Sequence, residues 1–154
     1  AGNYAAGMKG DFDGKKRGFP ICLYLDSATH QYIDEFGTSN FLGITKDDRY
    51  VTPASQSILP SITNLSLQVI AEDFGMKVEK RAIPVTELTD FVEVGACGTA
   101  AVITPVYSVQ HGDKLYTFGK EDKAGDTLTK FFKEIQGIQY GEIRDRHNWM
   151  MKIG

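Results

Sequence analysis

The sequence predicts an α+β domain: a curved, barrel-like mixed β-sheet with two main helices. Three observations carry this. About six to nine short apolar runs are bounded by turn residues, as strands are. Only two segments keep a sustained helical period. Strands and helices do not alternate one for one, which argues against a doubly wound parallel sheet. The 154 residues suffice for one domain with a real core, and no internal repeat divides them, so residues 1–154 read as a single domain.

In chain order, residues 3–8 open a short helix whose pattern decays into a charged turn region at 11–18. Residues 19–26 form a compact apolar run and read as a buried strand. Residues 32–35 and 41–45 read as strands flanking Gly37, and 50–52 as another that ends at Pro53. Residues 62–74 give the clearest helix, with Ile62, Leu65, Val69 and Ile70 at helical spacing, Pro60 just upstream and Gly75 at its end. Residues 77–83 fit a strand loosely, and 85–89 a helical turn. Residues 92–96 and 100–109 read as strands joined across Cys97–Thr99, with a turn at 111–114 and a return strand at 115–118. Residues 126–138 form a terminal amphipathic helix with Leu128, Phe131, Phe132 and Ile135 on one face. In the tail, residues 144–153, Trp149 and two methionines are expected to pack back onto a neighbour.

Composition excludes several classes. Hydrophobic residues make up 42%, ordinary for a globular chain, and no apolar run reaches the roughly 18 residues of a membrane span. Net charge is −3 and the basic residues form no stripe, so neither nucleic acid nor a membrane is expected as a partner. Cys22 and Cys97 lack metal spacing, and His30, His111 and His147 are scattered. The reading is free thiols in a reducing, cytoplasmic compartment and no metal site. The chain does not open as a natural start does; it reads as a piece of a longer protein.

Three stretches could carry chemistry. Residues 32–40, Tyr-Ile-Asp-Glu-Phe-Gly-Thr-Ser-Asn, set the carboxylate of Glu35 before a glycine that permits close backbone approach, followed by hydroxyl and amide side chains at Thr38, Ser39 and Asn40. A carboxylate facing solvent would read the same way. Residues 58–64 lead into the best helix, and the open N–H groups of Ile62 and Thr63 at its start suit a phosphate or carboxylate. Every helix has such an end, and Ser61 or Thr63 could equally be a plain cap. Residues 95–101, Gly-Ala-Cys-Gly-Thr-Ala-Ala, could form an anion-binding nest or an ordinary hairpin. Two anion sites and one carboxylate suit a cofactor with a phosphate at one end and a protonated ring nitrogen at the other.

Taken together, the motifs resemble those of a known family. Ala-Gly-Asn-Tyr at 1–4, the 32–40 stretch, Val-Thr-Pro at 51–53, Ser-Ile-Leu-Pro-Ser-Ile-Thr at 57–63, Gly-Thr-Ala-Ala at 98–101, Ile-Gln-Tyr-Gly at 138–141 and Trp149 follow one another in the order of a branched-chain amino-acid aminotransferase of fold type IV. The likeness covers nearly the whole chain and corresponds to the C-terminal, cofactor-binding domain. It implies pyridoxal 5′-phosphate as cofactor, and transfer of an amino group between Leu, Ile or Val and 2-oxoglutarate. Tyr4 matches the tyrosine that meets the ring oxygen, and Glu35 the glutamate that pairs with the pyridine nitrogen. Thr38 matches a residue lining ring and substrate; Ile62 and Thr63 match the phosphate-binding pair. Thr99 matches a phosphate contact and, with Ala100, the turn that receives the substrate carboxylate.

The same resemblance implies what this chain lacks. The Schiff-base lysine, which also moves the substrate proton, falls just upstream of Ala1, and the N-terminal domain is outside the chain too. No catalytic residue is therefore expected within residues 1–154, and the chain alone is expected to be inactive, with weak cofactor binding at most. Its expected partners are amino acids, 2-oxo acids, the missing N-terminal domain and a second copy in a homodimer. The sequence departs from the family at Ser61, where glycine is usual, and at Asn64, where arginine is common. Ala101 and Thr104 stand where some members carry a redox Cys-x-x-Cys. The alternatives are a D-amino-acid transaminase or a 4-amino-4-deoxychorismate lyase of the same fold, or a structural half-domain without activity.

Overall fold

A computed structural model describes residue 5 and residues 7–153. Nine strands and three helices occur among them: α1 (Met8–Lys16), β1 (Leu23–Leu25), β2 (Ile33–Phe36), β3 (Ser39–Thr45), β4 (Arg49–Pro53), α2 (Ile62–Asp73), β5 (Lys77–Arg81), β6 (Phe91–Gly98), β7 (Val102–Val106), β8 (Ser108–His111), β9 (Lys114–Thr117) and α3 (Asp126–Gln139). The fold is α+β, with a mixed seven-stranded sheet and a separate β8–β9 hairpin. Among the described residues the sheet does not close into a barrel.

Strand β3 is the axis of this sheet. Its residues 40–45 pair with β6 on one edge. The other edge is shared: β2 pairs antiparallel at Ser39 and Asn40, and β4 at Gly43 and Ile44. Between the two partners the Phe41 carbonyl accepts a hydrogen bond from Thr52 Oγ1 at 2.9 Å, which fills the gap in the ladder. Strands β4 and β5 are parallel, joined through α2 as a crossover unit.

Side-chain alternation along β3 divides the core in two. Phe41 joins Phe36, Phe91 and Val94 on one face. Leu42 and Ile44 join Tyr50, Leu67, Ile70, Leu128 and Phe131 on the other, beneath α2 and α3. Gly43 is required where Phe91 crosses β3: a Cβ there would lie 2.6 Å from the ring. Phe131 stacks on Phe74 and meets Tyr50 edge-on, which fastens α3 to α2 and to the sheet.

Several expectations hold: the strands either side of Gly37, the α2 helix with Gly75 at positive φ after it, the 3₁₀ turn at Val85–Asp90, the Gly112 hairpin and the amphipathic α3. Others need correction. The charged stretch expected as a turn is helix α1; Asp11 in its first turn, Lys15 and Lys16 in its last, and a Lys9–Asp13 ion pair compensate for Gly10 and Gly14. Residues 3, 4 and 6 of the earlier helix expectation lie outside the described residues. The buried strand expected at 19–26 shrinks to half-buried β1, because Pro20 has no N–H to donate and Phe19 N–H bonds back to the Gly14 carbonyl. The strand expected at 100–109 splits at Tyr107: β7 stays in the main sheet and β8 leaves it to pair with β9. In the tail, His147 Nε2 lies 2.8 Å from Asp73 on α2, and Trp149 stacks on His147. Trp149 and Met150 line a groove against α2 and α3, but Met151 is exposed.

Candidate functional site

The site grows from the register at the N-terminal end of β3. Glu35 pairs with Asn40, and Asn40 pairs with Cys97, so the three lie in one row across β2, β3 and β6 on the helix-covered face. The Asn40 amide then does two things at once. Its Nδ2 donates to Glu35 Oε2 at 3.2 Å and to the Leu59 carbonyl at 3.0 Å. Leu59 lies in the segment that enters α2. The strand carboxylate and the helix entrance are thereby tied to one buried side chain.

Glu35 is half-buried. Burial pushes its carboxyl above the usual range, the Leu59 main-chain N–H opposes the rise, and the neighbouring Asp34 charge adds to it. No cationic side chain among the described residues contributes to that balance. The result is a partly desolvated carboxyl with no cationic partner among the described residues.

At the start of α2, Ser61 is the N-cap: its backbone is extended and its Oγ accepts from Asn64 N–H at 3.1 Å. The Leu65 N–H bonds the Ser61 carbonyl. The N–H groups of Ile62 and Thr63 find no acceptor among the described residues, so they remain open at the positive end of the helix. Asn64 anchors this turn. It is buried, its Oδ1 accepts from Tyr50 OH at 2.7 Å, and its Nδ2 donates to Thr52 Oγ1 at 2.8 Å. Both partners belong to β4, and Thr52 passes the connection on to β3. The hydroxyl of Ser61, where the resemblance expects glycine, is turned into the helix as a cap, and Asn64, where arginine is common, works as an internal anchor.

The third stretch is the β6–β7 hairpin, with Thr99, Ala100 and Ala101 exposed in its turn. Gly98 brings it close to β3: a Cβ there would lie 3.7 Å from Ser39 Cβ and 4.0 Å from the Thr38 carbonyl. Ile103 N–H bonds back to the Ala101 carbonyl at 2.7 Å, and Val102 between them has φ of 60°. This is the rare, strained γ-turn, more so for a β-branched residue.

The structure therefore brings Glu35, Thr38, Thr99 and the α2 start to the leading end of β3, while Tyr4 lies outside the described residues. Two concavities flank this corner. A cavity of about 620 Å³ on the opposite face of the sheet reaches Thr38 and Ser39. A groove of about 460 Å³ runs from Ile62 along α2 toward Trp149. Neither is lined by Glu35, which lies on β2 between β1 and β3. Sequence reasoning singled out Asn40 and Asn64 but gave neither a role. The only available signal was a lone amide at the head of an apolar strand and another in the first turn of an apolar helix. Tyr50 gave no signal, and Thr52 entered only within the Val-Thr-Pro motif at 51–53.

A half-buried carboxylate with no cationic partner among the described residues lies beside a helix start with two open N–H groups, a donor set of the kind that a molecule with a protonated nitrogen and an anionic group requires. The chain belongs to the amino-transferase class IV family, whose model matches residues 1–109. It is 43% identical to the branched-chain-amino-acid aminotransferase of Haemophilus influenzae over 158 aligned residues, covering 99% of this chain and 46% of that protein. The corresponding enzyme of Helicobacter pylori is also 43% identical, with 99% and 44% covered. The structure of the branched-chain amino acid aminotransferase from Escherichia coli superposes with a TM-score of 0.80 at 28% identity, covering 96% of this chain and 48% of that one. The chain thus spans about half the length of the curated relatives it matches.

Proposed function

We propose that residues 1–154 are the C-terminal, cofactor-binding domain of a pyridoxal-phosphate-dependent branched-chain amino-acid transaminase, which exchanges an amino group between Leu, Ile or Val and 2-oxoglutarate. The observation that carries the reading is the partly desolvated Glu35 carboxylate, which meets no cation among the described residues and is tied through Asn40 to the open start of α2. The donor set fits the cofactor: one carboxylate for a pyridinium nitrogen, and two main-chain N–H groups for a phosphate. When bound, the cofactor's ring accepts the electron pair released at the substrate's α-carbon.

The chain's own residues hold and tune. Glu35 keeps the ring nitrogen protonated by its negative charge. Ile62 and Thr63 hold the phosphate through their N–H groups at the positive end of α2. Thr99 adds a hydroxyl to that end. The N–H groups of the Thr99–Ala100 turn receive the substrate carboxylate, and Thr38 lines the space between ring and substrate. Tyr4 is assigned to the ring oxygen. The covalent lysine that moves the substrate proton is assigned to sequence upstream of Ala1, within an N-terminal domain that completes the substrate pocket. Among the described residues no helix is long and apolar enough to cross a membrane. We place the protein in the cytoplasm as a homodimer, with this domain inactive by itself.

The test is turnover by the full-length protein. Leu, Ile and Val with 2-oxoglutarate are expected to yield glutamate, and D-alanine or 4-amino-4-deoxychorismate little product. Preferential turnover of either of the latter two, or no glutamate from any branched-chain donor, would overturn the assignment.

A further inference from the structure

We propose that Asn40 is a positioning residue that sets the distance between the two ends of the cofactor site, and that it selects which Glu35 oxygen faces the ring. The inference rests on the function proposed above. Its basis is geometric. An amide Nδ2 has two hydrogens, and here both are spent: one on Glu35 Oε2 and one on the Leu59 carbonyl. With Oε2 engaged, Oε1 is the oxygen left for a ring nitrogen. Asn40 is itself immobilised, because it is buried, pairs with Glu35 on β2 and Cys97 on β6, and stands at the head of β3.

The second bond is what makes Asn40 more than a partner of Glu35. Leu59 precedes the Ser61 cap, and Ser61 precedes the open N–H groups of Ile62 and Thr63. The amide therefore spans from the carboxylate to the entrance of the phosphate-binding turn. The Tyr50–Asn64–Thr52 network fixes the same turn to β4 from the other side. The turn is held at two points, and Leu59 refers it to Glu35, through its carbonyl on Asn40 and through its own N–H toward the carboxyl. The bond to Glu35 orients the carboxylate, and the bond to Leu59 sets the spacing.

The test uses the full-length protein and two probes: pyridoxal 5′-phosphate, followed by its absorbance, and inorganic phosphate, followed by the amide shifts of Ile62 and Thr63 in protein freed of cofactor. Asn40→Ala is expected to weaken cofactor binding about tenfold or more, as loss of a charge-assisted hydrogen bond does. It is also expected to weaken phosphate binding severalfold. Glu35→Gln is expected to weaken the cofactor but leave phosphate nearly unchanged, since it removes the charge at the ring end, keeps an amide oxygen for Asn40 and Leu59, and leaves the Asn40–Leu59 bond in place. Asn40→Asp keeps the shape, loses the donor and sets a carboxylate against Glu35, so it is expected to lose more cofactor affinity than Asn40→Ala.

If Asn40→Ala folds poorly, Asn40→Ser, which keeps one donor, is expected to fall between wild type and Asn40→Asp for both probes. Phosphate affinity unchanged in every Asn40 variant would overturn the spacing role. Cofactor affinity unchanged in the Asn40 variants but reduced in Glu35→Gln would overturn the inference and leave the cofactor reading intact. Unchanged cofactor affinity in Glu35→Gln would overturn the cofactor reading itself.

Discussion

The starts of α2 and α3 present the same raw material and are finished in opposite ways. In α3 the first free N–H groups are filled from inside the protein: Glu93 on β6 accepts from Thr127 at 3.1 Å and from Leu128 at 2.9 Å. Gly125 at the N-cap has no side chain to offer, and a Cβ there would lie 2.0 Å from the Glu93 carboxyl carbon. In α2 the cap Ser61 reaches only Asn64, and Ile62 and Thr63 keep their N–H groups open. A helix start alone says little about function. A start left open, anchored from behind by a buried network and tied to a desolvated carboxylate, says a good deal more.

Four experiments would break or sharpen this contrast. The largest effect is expected from Glu35→Gln in the full-length protein: kcat should fall on the order of a hundredfold or more, because a group aimed at developing charge is lost. Steady-state kinetics measure it, and near-normal kcat would remove Glu35 from the site.

Second is the anchor of α2. Asn64→Leu strands the Tyr50 hydroxyl and Thr52 in the core and is expected to cost about 2–3 kcal/mol. Urea unfolding reads this, and adding Tyr50→Phe should recover part of the loss, whereas the exposed Thr99→Ala should stay within about 0.5 kcal/mol.

Third, Glu93→Ala removes the internal cap of α3 and is expected to cost about 1 kcal/mol. It also opens that helix start, so inorganic phosphate should then perturb the Thr127 and Leu128 amides, as is expected for those of Ile62 and Thr63 in the wild type.

The smallest effect concerns the sheet edge that carries α2. Glu79 on β5 is held down to a pKa of about 2 by Lys77, then Arg81 and Arg49, at 2.9, 3.0 and 3.2 Å. Its folded pKa lies below its unfolded one, so its contribution is present above roughly pH 4.5 and is lost as pH falls toward 2. Glu79→Gln should flatten the acid limb of stability in that window, lowering stability modestly at neutral pH, where the contribution is present, and changing little below about pH 2.

The sequence made some of this architecture legible and hid the rest. Strands β2 and β3 and helices α2 and α3 were readable because local pattern and tertiary burial agree there. Helix α1 was not, since Gly10 and Gly14 break the propensity while its stabilising charges act through the helix dipole and one exposed pair. The departure of β8 at Tyr107 was also hidden, because choosing one sheet or another leaves no mark on a short apolar run. Glu35, Ile62, Thr63 and Thr99 stood out through their motifs. What was missing was the connection between them. The Asn40 bridge and the Tyr50–Asn64–Thr52 network join residues far apart in the chain, and their polar atoms meet only when β2, β3, β4 and α2 are assembled. Ser61 and Asn64 looked like departures from a pattern; in the fold each has an acceptor or donor to satisfy.

The most direct measurement is a crystal structure of the full-length protein with pyridoxal 5′-phosphate. The phosphate should accept from the Ile62 and Thr63 N–H groups, and the ring nitrogen should lie within hydrogen-bond distance of Glu35 Oε1 while Oε2 stays on Asn40. A phosphate bound away from the α2 start, or a Glu35 that does not meet the ring, would contradict the account.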